Sequence, residues 1–324
     1  MTTGSLDGPA KSASPARRKL PRGRRIAALS KRDKVLVALM LGIPLAADLL
    51  FIWLPAVATV GLSFTSWDNL GGFSSIKMTG LANYKFAAQT DPQFWPAVEH
   101  NIIWLLVFVC VATPLGMLFA VIIDRNIRGS RIYQSVLFLP VMLSLALIGI
   151  IWELIYSPNY GLINSIIGRT GNNDAIDWLG NSHTNLWAVL VEASWRQAGY
   201  VMVLYLAGLK AVDPTLREAA QMDGAGAWMT FRKVIFPVMK PINIVILVIT
   251  VIESLRAYDL VYITSGGNTV LPGLEMLSML VTEWIIGQTQ RIGYGSALAV
   301  VLLLVSLVPI CIFLYTNFRE EDAA

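Results

Sequence analysis

The sequence predicts an all-α membrane protein, a polytopic chain with six transmembrane helices. Of its 324 residues, 55% are hydrophobic and only 14% are charged, which is too little polar surface for a soluble protein of this size. The hydrophobic residues are concentrated in six stretches of 21–24 residues. At 1.5 Å per residue, a helix of that length matches a hydrocarbon core of roughly 30 Å.

The predicted spans are, in order, Val35–Val57, Ile102–Ile123, Ile132–Trp152, Leu186–Leu209, Ile242–Ile263 and Tyr294–Thr316. The second and sixth carry no charged residue, whereas a helix at the surface of a soluble protein needs a polar face. Cys110 and Cys311 lie within spans, where we expect them to pack as small apolar residues. His100 and His183 have no second ligand at metal spacing, so no metal site is expected.

Two tails flank the spans. Residues 1–34 are rich in Pro, Ser and Arg and are expected to form a disordered, basic tail, and residues 319–324 a short second tail. Arg24 and Arg25 loosely resemble a twin-arginine signal. The apolar stretch that follows is long and lacks a clean cleavage site, so an uncleaved signal-anchor is expected. The permease domain is therefore predicted to cover residues 35–318.

The positions of Lys and Arg predict the orientation. If the N-terminal tail is cytoplasmic, the inside segments hold 19 of these residues and the outside segments hold four. Because positive residues are retained on the cytoplasmic side, both termini are predicted to lie in the cytoplasm. Topology thus explains the net charge of +4, and no nucleic-acid partner is needed to account for it.

The longest inside loop, 210–241, is predicted to hold two short helices. Asp213 is a suitable N-cap and Pro214 a suitable first helical residue. Asp223 and Gly224 are suited to a left-handed C-terminal turn. A second, amphipathic helix follows, and prolines then lead into the fifth span. Such a pair suits docking into a groove of another protein, and the alternative is a helix resting on the membrane surface.

Five ionisable residues fall within the fourth and fifth spans, where charge is costly. Helical depth places Glu192 level with Arg256, and Arg196 level with Glu253, which predicts two cross-helix pairs. Pairs within one helix, at i, i+3 and i, i+4, compete with this arrangement. The functional alternative is a solute path, with eight candidate residues: Glu192, Trp195, Arg196, Tyr200, Glu253, Arg256, Tyr258 and Asp259.

Several short motifs occur in a fixed order along the chain. They are Gly80–Tyr84, Tyr160–Asn164, Trp178–Gly180, Glu218-Ala219-Ala220 followed by Asp223-Gly224-Ala225, Asp259–Thr264 and Gly293–Leu298. With these motifs, residues 35–318 resemble the type I permeases of binding-protein-dependent ABC importers, with the MetI-like fold. The chain resembles more narrowly the carbohydrate-uptake permeases of the maltose and glycerol-3-phosphate type. Ser265-Gly266-Gly267-Asn268 departs from the Gly-Gly-Gly-Pro turn of many relatives.

The resemblance implies a pore subunit of the bacterial plasma (inner) membrane that imports a sugar or oligosaccharide. It implies a second, paralogous permease as heterodimer partner, two cytoplasmic ABC ATPases and an extracytoplasmic solute-binding protein. The loop residues that match the family's coupling motif are Glu218, Ala219, Ala220, Asp223, Gly224 and Ala225. These would contact the ATPase, with Gly224 forming the turn and Glu218 an ionic anchor.

Three alternatives remain at this stage. The importer could carry a glycerol phosphate or a polyol. A secondary transporter would need inverted repeats, which are not visible, and a membrane-embedded enzyme would need a His, Asp or Glu constellation. No Gly-Lys dipeptide occurs in the chain, so it has no Walker A loop. We therefore expect ATP and Mg²⁺ to bind to the partner ATPase and this chain to have no cofactor and no catalytic residue.

Overall fold

The computed structural model describes residues 30–68, 72–125, 127–170, 174–287 and 290–321, and almost all of its elements are helices. Within these residues the β contacts are limited to an isolated antiparallel bridge between Thr65 and Met78. The predicted all-α fold is confirmed. Most of the expected N-terminal tail, residues 1–29, and the last three residues of the chain lie outside the described residues.

The chain divides into two units after Pro55. The first unit contains most of helix α1, Arg32–Leu62, and almost all of its described side chains are exposed. Ser30 caps this helix, because its hydroxyl accepts a hydrogen bond from the Asp33 amide at 3.2 Å. Residues expected to belong to the tail therefore form the first helical turn. The Trp53 indole donates to Asp48 at 3.1 Å, which gives the charge within the first predicted span a partner.

Besides the end of α1 and a short 3₁₀ turn at Gly72–Ser75, the second unit contains twelve helices among the described residues. They are α2 Ala82–Gln89, α3 Phe94–Asp124, α4 Ser130–Met142, α5 Leu145–Tyr156, α6 Leu162–Ile166, α7 Asn185–Ala211, α8 Pro214–Met222, α9 Ala227–Val238, α10 Lys240–Leu255, α11 Asp259–Thr264, α12 Leu277–Ile286 and α13 Ile292–Glu321. One π-helical turn, Phe108–Ala112, lies within α3, and another, Phe231–Ile235, lies within α9.

Every predicted span is helical, but two are interrupted. The third consists of α4 and α5, which meet at a bend of 102°, and the fifth consists of α10 and α11, which are separated by three residues. Judged by length and composition in the described part of the chain, α1 and α3 can each cross a membrane, and two bent helix pairs raise the number to four. The count of six spans stays a prediction.

Small side chains let α3 and α7 pack closely. Ala112, Gly116 and Ala120 are spaced four residues apart and form one stripe of α3, and both alanines are fully buried. A Cβ added to Gly116 would lie 2.7 Å from the Ala198 carbonyl oxygen and 2.8 Å from Val201 Cβ of α7. Helices in lipid associate largely through such close backbone approach, because burial from water supplies no driving force there.

The short helix α12 was missed by the sequence analysis. Seven of its ten residues are apolar, but ten residues are too few to cross a bilayer. Leu277 and Leu280 are fully buried, and they form a cluster with Tyr294 and Leu298 of α13. Helix α12 thus fills the space beside α13, in a region that was expected to be an outer loop.

Replacement of Gly116 with Ala should destabilise the protein by about 1–3 kcal/mol, because the new methyl group overlaps α7. The measurement is the Tm of the purified protein in detergent or nanodiscs. Gly61→Ala is the matched control, because nothing lies within 4 Å of the Cβ position there. A Gly116→Ala variant as stable as Gly61→Ala would contradict the packing described.

Candidate functional site

The interruption between α10 and α11 opens the helix beside a group of charged residues. Helix α10 ends at Leu255, and the Tyr258 amide then donates to the Arg256 carbonyl at 2.7 Å. The carbonyl of Ala257, which the break frees, accepts a hydrogen bond from the Ser278 hydroxyl of α12 at 2.9 Å. Because an unpaired backbone group in lipid costs several kcal/mol, this bond from α12 stabilises the break.

A small cavity of about 40 Å³ lies beside the break. It is lined by Trp104, Phe108, Leu145, Ala193, Arg196, Glu253, Arg256, Ala257, Tyr258, Asp259 and Leu260. The structure thus brings together five of the eight predicted path residues from α7, from α10 and α11 and from the turn between these two. Two of the five are basic and two acidic, so the formal charge of the cavity wall is zero.

The predicted cross-helix pair of Arg196 and Glu253 is confirmed, with 3.6 Å between Nη1 and Oε2. A second, uncharged link joins the same two helices close to this pair. The Gln197 amide donates to the Thr250 hydroxyl at 3.4 Å, and Thr113 of α3 lies 3.4 Å from that hydroxyl. The sequence analysis missed these three side chains because it considered only ionisable residues within spans.

The predicted pair of Glu192 and Arg256 is wrong. Glu192 is fully buried, and its carboxylate accepts a hydrogen bond from the Thr264 hydroxyl at 3.4 Å. Its other oxygen has no hydrogen-bond partner among the described residues. Arg256 is exposed at the cavity. The prediction failed because it treated the fifth span as one continuous helix, whereas the chain leaves the helix at Arg256.

Trp195 and Tyr200, two further path candidates on α7, lie away from the charged cavity. Trp195 packs edge-on against Trp152 with 5.8 Å between ring centroids. It also lines a separate apolar groove of about 470 Å³ that includes Trp187 and Leu190. Tyr200 is half-buried, and it does not line the cavity.

Two hydrogen-bond donors at the cavity wall have no partner among the described residues. They are the indole N–H of Trp104, a residue that is 1% exposed, and the Nε–H of Arg196. An unpaired buried donor costs about 1–3 kcal/mol, and both donors belong to residues that line the cavity. The wall therefore offers aromatic faces beside donors and acceptors, a combination that suits a neutral polyhydroxylated solute.

The loop at 210–241 has the predicted helix–turn–helix form. The Asp213 carboxylate caps α8 by accepting a hydrogen bond from the Thr215 amide at 2.9 Å, and this backbone bond lowers the pKa of Asp213. Gly224 has φ of +78°. The Ala225 amide donates to the Ala220 carbonyl at 2.9 Å, and the Gly224 amide donates to the Gln221 carbonyl at 3.0 Å. These two bonds form a Schellman motif, which requires a left-handed residue at Gly224.

The surface of this loop is partly apolar. Glu218, Ala219 and Asp223 are exposed, whereas Ala220 is buried. Met222 is 89% exposed and Trp228 is 69% exposed. Ala220 therefore packs in the interior of the loop. The sequence analysis predicted an amphipathic second helix, but it did not predict that Met222 and Trp228 would both be exposed.

The described residues contain no group of three or more His, Cys, Asp and Glu side chains that could hold a metal ion. The candidate site is thus a lined cavity and a surface loop, and its side chains are arranged for binding. The fold and this site define a helical membrane transport subunit.

Comparison with known proteins identifies the family. Residues 112–320 match the family model of the binding-protein-dependent transport system inner membrane component. The chain belongs to this family, and it is therefore the membrane-embedded permease subunit of an ABC importer. Members of this family are membrane components and not enzymes. This membership also rules out the two rival classes considered above, a secondary transporter and a membrane enzyme.

Two relatives and one solved structure are similar over most of the chain. The osmoprotective compounds uptake permease protein GgtC of Synechocystis is 30% identical, with 84% of this chain and 95% of GgtC covered. The xylose/arabinose import permease protein XacH of Haloferax volcanii is also 30% identical, with 80% of each chain covered. A permease chain of a bacterial ABC transporter that imports alginate has the same fold, with a TM-score of 0.73, 21% identity, and 89% of this chain and 96% of that chain covered.

Removal of either partner of the Arg196–Glu253 pair should lower the Tm. We expect Arg196→Met or Glu253→Met to cost roughly 1–2 kcal/mol, which is less than for a fully buried pair because both side chains are partly exposed. The double variant Arg196→Glu with Glu253→Arg should recover most of the loss, because it restores opposite charges across α7 and α10. The single reversals Arg196→Glu and Glu253→Arg serve as the comparison. A double variant no more stable than the less stable of these two would contradict the pairing.

Proposed function

We propose that this chain is one of two paralogous permeases that together form a sugar-importing pore in a bacterial plasma membrane. Two cytoplasmic ATPases bind and hydrolyse ATP, and an extracytoplasmic solute-binding protein delivers the sugar. The observation that carries the sugar assignment is the cavity beside the break. The two basic and two acidic side chains of its wall cancel in formal charge, and they lie beside aromatic rings and two unpaired donors. XacH, a relative of 30% identity, is named for xylose and arabinose import.

The size of the cavity bears on the mechanism. About 40 Å³ is close to the volume of a single water molecule in the liquid, roughly 30 Å³. A sugar therefore enters only after α7, α10 and α11 separate. The break at Arg256–Tyr258 and the bend between α4 and α5 are positions where the backbone can adjust without disrupting a complete helix. Alternating access then consists of opening this cavity to one side of the membrane at a time.

The loop at 210–241 is the proposed contact with an ATPase, on the cytoplasmic side with both termini. Five residues of the motif, Glu218, Ala219, Asp223, Gly224 and Ala225, present or shape its surface, and the exposed Met222 and Trp228 extend the surface with apolar area. Ala220 acts indirectly, through its carbonyl bond to Ala225. Exposed apolar side chains beside a charged residue are typical of a protein interface.

A second candidate substrate is a polyol, the alternative left open by the sequence, and GgtC is named for uptake of osmoprotective compounds. Such solutes are also neutral and rich in hydroxyl groups, so the same cavity wall suits them. Binding measurements with the purified solute-binding protein and a panel of sugars, polyols and glycerol phosphates distinguish the two. If the binding protein binds only a glycerol phosphate tightly, the solute is an anion and the assignment of a neutral solute to this cavity is wrong.

Gly224→Asp and Glu218→Lys should abolish ATP-driven uptake while the chain still inserts in the membrane. Aspartate at φ of +78° strains the turn, and lysine reverses the charge of the proposed anchor. The measurement is uptake of the solute identified by the binding panel into proteoliposomes, together with co-purification of the ATPase. Gly226→Ala is the matched control, because its φ is −68° and nothing lies within 4 Å of its Cβ position. Wild-type uptake by both loop variants would contradict the assignment of the loop.

A further inference from the structure

A buried carboxylate joins the loop to the helices that form the cavity. Asp124 is the last residue of α3, and its side chain is 8% exposed. Its Oδ2 accepts a hydrogen bond from Nη1 of Arg217 at 2.7 Å, and its Oδ1 lies 3.0 Å from Nζ of Lys210. Each carboxylate oxygen thus has its own cationic partner, from α8 and from α7.

Arg217 makes a second bond that completes the connection. Its Nη2 donates to the carbonyl of Leu209, near the end of α7, at 3.1 Å. One guanidinium of α8 therefore bonds to the C-terminal ends of both α3 and α7. A cation at these positions satisfies carbonyl and carboxylate oxygens and also interacts favourably with the negative ends of two helix dipoles.

Without Arg217, α8 would be joined to α7 mainly by the backbone of Val212 and Asp213. Both residues have extended backbone angles, with ψ of 130° and 124°. Such a two-residue connection can bend as a hinge and would absorb a displacement of α8. The fork of Arg217 removes this freedom, because it fixes α8 to two helix ends at once.

Helices α3 and α7 carry the connection to the cavity. They pack closely along the stripe of small residues at Gly116. Trp104 and Phe108 of α3 and Arg196 of α7 line the charged cavity. Phe108 lies 16 residues before Asp124, which corresponds to about 24 Å along the helix axis.

We propose that Arg217, held by Asp124, is the positioning residue that makes α8, α3 and α7 one rigid body. Displacement of α8 by the ATPase then tilts α3 and α7 and opens the cavity. Arg217 contacts neither the solute nor the ATPase in this role. The inference rests on the proposed function, because it assumes that α8 is the element displaced by ATP-driven motion.

The test uses the complete importer complex in nanodiscs, with Cys110 and Cys311 replaced by Ala. Spin labels are placed at Leu106 of α3 and Leu303 of α13, both exposed in this chain. The inter-label distance is measured by pulsed electron paramagnetic resonance without nucleotide and after trapping with ATP and vanadate. ATP hydrolysis is measured on the same samples, and neither readout requires the identity of the solute.

We expect the distance to change on trapping in the parent complex. In Arg217→Gln the change should be lost while ATP hydrolysis and assembly persist. In a Lys210→Gln background, the exchange Asp124→Arg with Arg217→Asp should restore part of the change that Arg217→Asp alone abolishes, because it rebuilds the link between α8 and α3, whereas aspartate cannot donate to the Leu209 carbonyl. Arg125→Gln is the matched control, because this neighbouring arginine makes none of the three bonds, and it should behave as the parent.

A distance change in Arg217→Gln equal to that of the parent would overturn the inference and leave the proposed function standing. So would a parent complex that hydrolyses ATP without any change in the distance. Loss of assembly in Arg217→Gln together with failure of the exchange would reduce Arg217 to a purely structural role. A parent complex that never hydrolyses ATP would instead contradict the proposed function.

Discussion

A polar group inside a bilayer must find its partner within the protein, and the structure of this chain depends on how that constraint is met at the break after Leu255. The Ser278 hydroxyl bonds to the Ala257 carbonyl, and Arg196 pairs with Glu253 across α7 and α10. Because these partners come from separate helices, the first bond fixes α12 and the second fixes α7 relative to α10. The short helix α12 is thus needed in the interior, although it is too short to cross the membrane. Charges that would be costly in lipid line the small cavity beside the break.

Close packing gives this arrangement its stiffness. The stripe of Ala112, Gly116 and Ala120 joins α3 to α7 over their middle portions, and the bonds of Arg217 to Asp124 and to the Leu209 carbonyl join the ends of both helices to α8. The cavity and the loop therefore lie at different positions along the same pair of helices. A binding site and a docking surface in one chain become a transport device only when such a connection exists, because the coupling between two sites requires an element that both of them bias.

The sequence predicted the all-α fold, the helical character of the six apolar stretches and the turn at Gly224, because long apolar runs and capping residues act locally. It also predicted the Arg196–Glu253 pair from helical depth. It did not predict the breaks after Met142 and Leu255, since neither coincides with a run of breaking residues, and the false pair of Glu192 and Arg256 followed from the second break. The roles of Ser278, Gln197 and Arg217 depend on contacts between distant segments. Polar or basic residues of this kind are common in loops and spans, so their type alone did not identify their partners.

The central claim is that the wall at the break lines an aqueous path that opens during transport. Reactivity of an introduced thiol tests this most directly, in a chain whose Cys110 and Cys311 are replaced by Ala. Arg256→Cys should react with a membrane-impermeant maleimide, and its rate should change when the complex is trapped with ATP and vanadate. Leu118→Cys, on the exposed apolar face of α3, should react only with a lipid-soluble reagent. If Arg256→Cys reacts only with the lipid-soluble reagent in both states, the wall faces lipid and the account of the cavity is wrong.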